Sequence, residues 1–186
     1  MRALENNMHL VCHPATPSPQ IERVEVRFAR QSGNRLWLRF HAEGPLDSFV
    51  LANPAQPIHT DDLWQTTCFE AFLRVPYTPA YLEFNLSPSD AWAAYRFDDY
   101  RTGMADLLLV QPPDIGCDAS DSHFALEAVL ALPPEWAEQP LALGLSAVIE
   151  EVGGYKSYWA LAHPPGAPDF HHKDCFAAQL GAAEAP

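Results

Sequence analysis

Residues 68–87 read CFEAFLRVPYTPAYLEFNLS, two apolar runs around a proline-marked connection. In the second run, Leu82, Phe84 and Leu86 share one parity, and Tyr81, Glu83 and Asn85 the other. Successive side chains of a strand point to opposite faces, so period two marks a strand with one face in a core. The first run alternates Phe69, Ala71 and Leu73 with Cys68, Glu70 and Phe72. The short VPYTPA connection makes the two runs antiparallel neighbours. These runs predict a β fold. They also raise the question of what Glu70, Glu83 and Asn85 face.

The same alternation recurs outward in both directions. Leu36, Leu38 and Phe40 share a face in residues 34–42, and Phe124, Leu126, Ala128 and Leu130 in residues 122–131. Leu141, Leu143, Leu145, Ala147 and Ile149 line up in residues 141–151. Further strands are expected near 21–30, 92–97, 155–162 and 174–180. The chain holds 18 prolines, spread as punctuation between short runs. Proline removes a ladder donor and so marks strand ends and turns. Such spacing predicts an all-β fold: a single antiparallel β-sandwich of about ten strands. PPEWAE at 133–138 suits a short helical turn led by proline. No linker divides the chain, so residues 1–186 are read as one domain, with 1–7 a dispensable tail if translation starts at Met8.

Acidic residues number 24 against 11 basic, a formal charge of −13. That field repels phosphate backbones and anionic lipid, so neither nucleic acid nor a membrane is an expected partner. The charge also serves plain solubility. The N-terminus has no long apolar core of a secretion signal, and the four cysteines form no CxxC pair. A cytoplasmic protein with free thiols is the expectation. No stretch of 18 apolar residues occurs to span a bilayer.

The polar parity of the central strands gives a candidate surface. Placing the run at 92–97 beside them adds Arg96 and Trp92 to a face with Glu70, Glu83, Asn85 and Tyr81. Two uses of that face stay open. It is a solvated face whose Glu–Arg pairs contribute about 0–1 kcal/mol each, or it is a concave ligand surface. For the second use, carboxylates and amides bridge hydroxyls while aromatic rings stack on sugars.

The segments LWQTTCFEAFLR, YLEFNLSPSDAWAAYRFDDYRTGM and KSYWALAHPPGAPDFHHKDCFAAQL together resemble bacterial stand-alone DOMON-like proteins, over roughly residues 8–181. Their superfamily includes carbohydrate-binding module family 9. The resemblance implies a jelly-roll-like sandwich with a ligand site on a concave sheet face, the ligands being sugars or haem. For a sugar, it implies stacking by two tryptophans, for which Trp64 and Trp159 are the candidates. Glu70, Glu83 and Asn85 match the polar positions. The implied function is non-catalytic binding of a small ligand, with a saccharide first and a soluble sugar or nucleotide sugar fitting the expected location. For haem, Met104 and His163 are the axial candidates, though neither aligns with the family's ligands. No cofactor is expected otherwise.

Alternatives remain. His163, Asp169 and His171 in the tail segment are a weak divalent-metal set. His59, Asp61 and Asp62 could add ligands. Glu70 and Glu83 could be the carboxylate pair of a glycosidase, but no GxSxG, HExxH, P-loop or GxGxxG motif supports an enzyme. A protein-interaction module is the third reading.

Overall fold

The computed structural model describes residues 5–53 and 56–182. Among these residues twelve strands run in chain order: β1 (Asn6–Cys12), β2 (Arg23–Gln31), β3 (Arg35–Glu43), β4 (Cys68–Arg74), β5 (Tyr81–Leu86), β6 (Trp92–Phe97), β7 (Ala105–Asp106), β8 (Asp114–Ser120), β9 (His123–Ala131), β10 (Leu141–Glu151), β11 (Tyr155–Ala160) and β12 (Ala178–Leu180). Every strand pairing is antiparallel. The only helical pieces among the described residues are short 3₁₀ turns, one of them at Pro134–Trp136 where the sequence predicts a turn.

The strands form an antiparallel β-sandwich. The first sheet has the order β1-β2-β3-β9-β8, and the second β7-β6-β5-β4-β10-β11, with β12 also on β10. Strand β1 joins them: Asn6–Leu10 pair with β2, then Val11 and Cys12 pair with β11. Asn6 and Asn7, expected in a tail, are thus paired, and residues 1–4 lie outside the described residues. Three strands go beyond the sequence expectation. The apolar run of β1 is broken by His9, β7 has two residues, and β8 (DIGCDAS) carries little apolar pattern. The strand expected at 174–180 begins only at Ala178, after a 3₁₀ turn at Lys173–Cys175.

Apolar parities from both sheets meet in one core. Phe40 of β3 and Phe124 of β9 both pack on Phe69 of β4, with ring centroids 5.2 and 6.0 Å apart. Leu82, Phe84 and Leu86 lie in the same core, as do Leu141 through Ile149 at alternate positions.

The two outer faces differ. On β3 buried residues alternate with part-exposed ones, whereas β5 is buried at every position. The second sheet is covered because the chain after β11 folds back over it. Phe170 and Phe176 pack there with Phe72, Tyr81 and Phe97 in a second apolar cluster. Gly144 of β10 marks a close approach, since a Cβ there would lie 3.2 Å from the Cys175 carbonyl oxygen.

Candidate functional site

The covering segment leaves a gap. Between it and the outer face of the second sheet lies a cavity of about 880 Å³, within the range of small-molecule sites. Its floor follows from strand register. Ser146 of β10 is opposite Glu70 of β4, which is opposite Asn85 of β5, which is opposite Ala93 of β6. The neighbouring row is Gly144, Phe72, Glu83 and Tyr95. Small residues at Ala93 and Ser146 leave room over the polar centre.

Glu70, Glu83 and Asn85 are therefore on one face, as parity predicts, but they are far from solvated. They are 3%, 7% and 2% exposed. Asn85 Nδ2 donates to Glu83 Oε1 at 2.8 Å, and Ser146 Oγ donates to Glu70 Oε2 at 3.4 Å. Burial pushes the Glu70 carboxyl well above the usual range, and the neighbouring charge of Glu83 adds to the rise. Burial likewise lifts Glu83 to about 7, against the opposing pull of the Asn85 bond and Arg101. Desolvation disfavours the charged form, and two adjacent carboxylates disfavour double ionisation.

His171 closes one side. Its Nδ1 lies 2.8 Å from Tyr81 Oη, which also accepts the Arg101 backbone N–H at 3.2 Å. Its Nε2 is 3.9 Å from Glu83. Burial and the nearby Arg101 push the imidazole down to about 4, so it is neutral at physiological pH. Arg101 Nη2 donates to Asp169 Oδ1 at 2.7 Å, and Tyr100 also donates to Asp169. These bonds tie the loop after β6 to the covering segment. At the mouth, Tyr95 Oη donates to Asp61 Oδ1 at 2.6 Å. Trp64, on the 3₁₀ turn Leu63–Gln65 leading into β4, is 49% exposed and lines the opening. Tyr158 and Phe170 supply further aromatic wall.

Three expected members are elsewhere. Trp159 points into the sandwich core, 5% exposed, its indole N–H donating to Ser157 Oγ at 2.9 Å. The β11 residue that faces the cavity is Tyr158, opposite Val148. Arg96 and Trp92 also take the core-side parity of their sheet, because Leu82 pairs with Arg96 and Leu86 with Trp92. Arg96 lies near the strand end, its side chain 57% exposed and 3.7 Å from Asp98. Trp92 packs at the core margin, edge-on to His59 at 5.1 Å. The aromatic residues of β6 that face outward are Tyr95 and Phe97, which alternation alone makes look like core.

The metal and haem candidates do not converge. His163 Nε2 lies 2.8 Å from the Val11 carbonyl oxygen, and its ring packs edge-on against His13. Asp169 is bound to Arg101 and Tyr100, and His171 faces Tyr81 and Glu83. Among the described residues no three His, Cys, Asp or Glu side chains form a metal-binding group. Met104 lines the cavity and His163 does not, so the pair considered for haem shares no space.

No protein-family model and no curated protein matches this sequence. Similar solved structures include a Bacteroides uniformis protein described as a candidate carbohydrate-binding protein. Its TM-score is 0.69 at 12% identity, covering 97% of this chain and 87% of that one. A carbohydrate-binding module of family 9 from Caldicellulosiruptor kristjanssonii, in complex with glucose, has a TM-score of 0.53 at 12% identity, covering 92% and 83%. A family 9 module from the same organism in complex with cellotriose has a TM-score of 0.52 at 12% identity, covering 96% and 84%. At this identity the likeness establishes a fold of the family 9 type.

Proposed function

We propose that this chain, which has the fold of family 9 carbohydrate-binding modules, binds a saccharide without transforming it, in the cavity over the second sheet. One observation carries the reading. A row of buried polar side chains, Glu70, Glu83 and Asn85, forms the floor of a cavity walled by Trp64, Tyr95 and Tyr158. Carboxylates and amides accept and bridge hydroxyl donors, and aromatic rings cover the apolar face of a pyranose. The glucose and cellotriose bound by the family 9 structures support the reading. In this arrangement Trp64 stacks at the mouth. Tyr158 takes the place that the sequence motif suggests for Trp159. Membership of the DOMON-like group, a jelly-roll-like strand order and a cytoplasmic location belong to the same proposal.

Calorimetric and thermal-shift titration with mono- and oligosaccharides tests it. Trp64→Ala is expected to weaken saccharide binding by about tenfold while leaving stability nearly unchanged, because the ring is half exposed. Absence of binding by every saccharide tested would overturn the proposal. Release of reducing sugar, abolished in Glu70→Gln, would replace it with a glycosidase.

A further inference from the structure

We infer that the cavity selects an amino sugar, whose ammonium group lies against Glu70 and Glu83, and rejects anionic sugars. The inference rests on the saccharide reading and narrows its ligand class.

The argument is an inventory of hydrogen-bond capacity. Several donors facing the cavity are engaged in part inside the protein. Asn85 Nδ2 donates to Glu83, Tyr95 to Asp61, and Arg101 to Asp169. The acceptors are not used up. Glu70, 3% exposed, accepts one long bond from Ser146, and its Oε1 accepts none from the described residues. A neutral carboxyl keeps acceptor capacity beside its one O–H, and once a bound cation ionises it the group offers about four acceptor positions. Among the described residues Glu83 accepts from Asn85 alone at hydrogen-bond distance, since His171 Nε2 stands off at 3.9 Å. A ligand suited to this cavity therefore brings donors.

Charge points the same way. Asp61, Asp62 and Asp106 add carboxylates to the cavity lining. Among the described residues that line it, Arg101 is the cation, and the Asp169 bound to it offsets its charge. His171, held neutral by burial, adds none. A sugar hydroxyl supplies one donor, whereas an ammonium supplies three and a positive charge. In a partly enclosed site that charge interacts more strongly than it does in water. A carboxylate or phosphate on the ligand would instead meet like charge. This disfavours the nucleotide sugars that a cytoplasmic location suggests.

The test is calorimetry at about pH 6.5, where an amine is largely charged, with glucosamine, glucose and glucuronate, and with the β-1,4 trimers of the first two. Glucosamine is expected to bind about tenfold or more tightly than glucose, and glucuronate most weakly. Amino-sugar binding should also release protons, read as a heat that depends on the buffer, because the bound cation favours ionised Glu70 and Glu83. Glu70→Gln should reduce the amino-sugar preference, and Asp106→Asn, at the exposed rim, should reduce it less with the fold intact. Glucose binding as tightly as glucosamine, or a preference unchanged in both variants, overturns this inference and leaves the saccharide reading standing. If none of the probes binds, both fall.

Discussion

The outer face of the first sheet and the outer face of the second carry the same kinds of residue and use them differently. On the first, Arg39 of β3 reaches Asp118 at 2.6 Å and Glu127 at 3.2 Å, in side chains that remain substantially solvated. On the second, Glu70 and Glu83 are almost fully buried, and their nearest partners are a hydroxyl and an amide. Solvated ion pairs contribute little to stability, whereas burying a carboxylate without a cation costs free energy. The second face therefore stores a cost that a ligand can relieve. An outward polar residue on a strand does not mark a site. It becomes one when the chain folds back to cover it.

The largest expected effect concerns which side of the second sheet a residue occupies. Trp159→Ala should destabilise the fold by about 3–5 kcal/mol, as removal of a buried aromatic does, measured by denaturant unfolding. A loss of saccharide affinity with unchanged stability would instead put Trp159 on the cavity side and break the comparison.

The next effect follows from Glu83. Near pH 4 the folded and unfolded chains both hold its proton. Between about 4.5 and about 7 the folded chain holds more, so stability falls as pH rises through that window. Glu70, raised by burial, extends the decline in the same direction. Unfolding measured across that range should show the slope, and Glu83→Gln should flatten it and stabilise the protein near pH 8 by about 1–3 kcal/mol. A flat profile in the parent protein would show that the second face is as solvated as the first.

The smallest effect lies on the first face. Glu127→Gln should change stability by less than about 1 kcal/mol, and added salt should erase the difference. Comparing this variant with Glu83→Gln at one pH sets the two faces side by side.

Much of this was legible in the chain. The strand runs at 34–42, 81–87, 122–131 and 141–151 match β3, β5, β9 and β10 closely, because a one-sided core imposes strict alternation. The common face of Glu83 and Asn85 was legible for the same reason. Strand β8 was not, since as an edge strand with mostly exposed side chains it needs no apolar period. The burial of the polar floor was only half legible. Phe72 and Tyr81 on the second parity signal a covered face, but the cover comes from residues far along the chain, and only the register brings Tyr95 and Phe97 to that face.

The sequence by itself determined the antiparallel β architecture, the core parity of each long strand, and the presence of two carboxylates and an amide on the other parity of β4 and β5. Tertiary structure decided which residues of β6 and β11 join them. Within a strand, covalent geometry fixes which residues share a face. Between strands, the pairing register fixes it, and a shift of one residue exchanges the faces. The connection at residues 87–91 sets Leu86 against Trp92, so Tyr95 and Phe97 face outward and Arg96 does not. The pairing of Ala147 with Trp159 puts that indole in the core and leaves Tyr158 at the cavity.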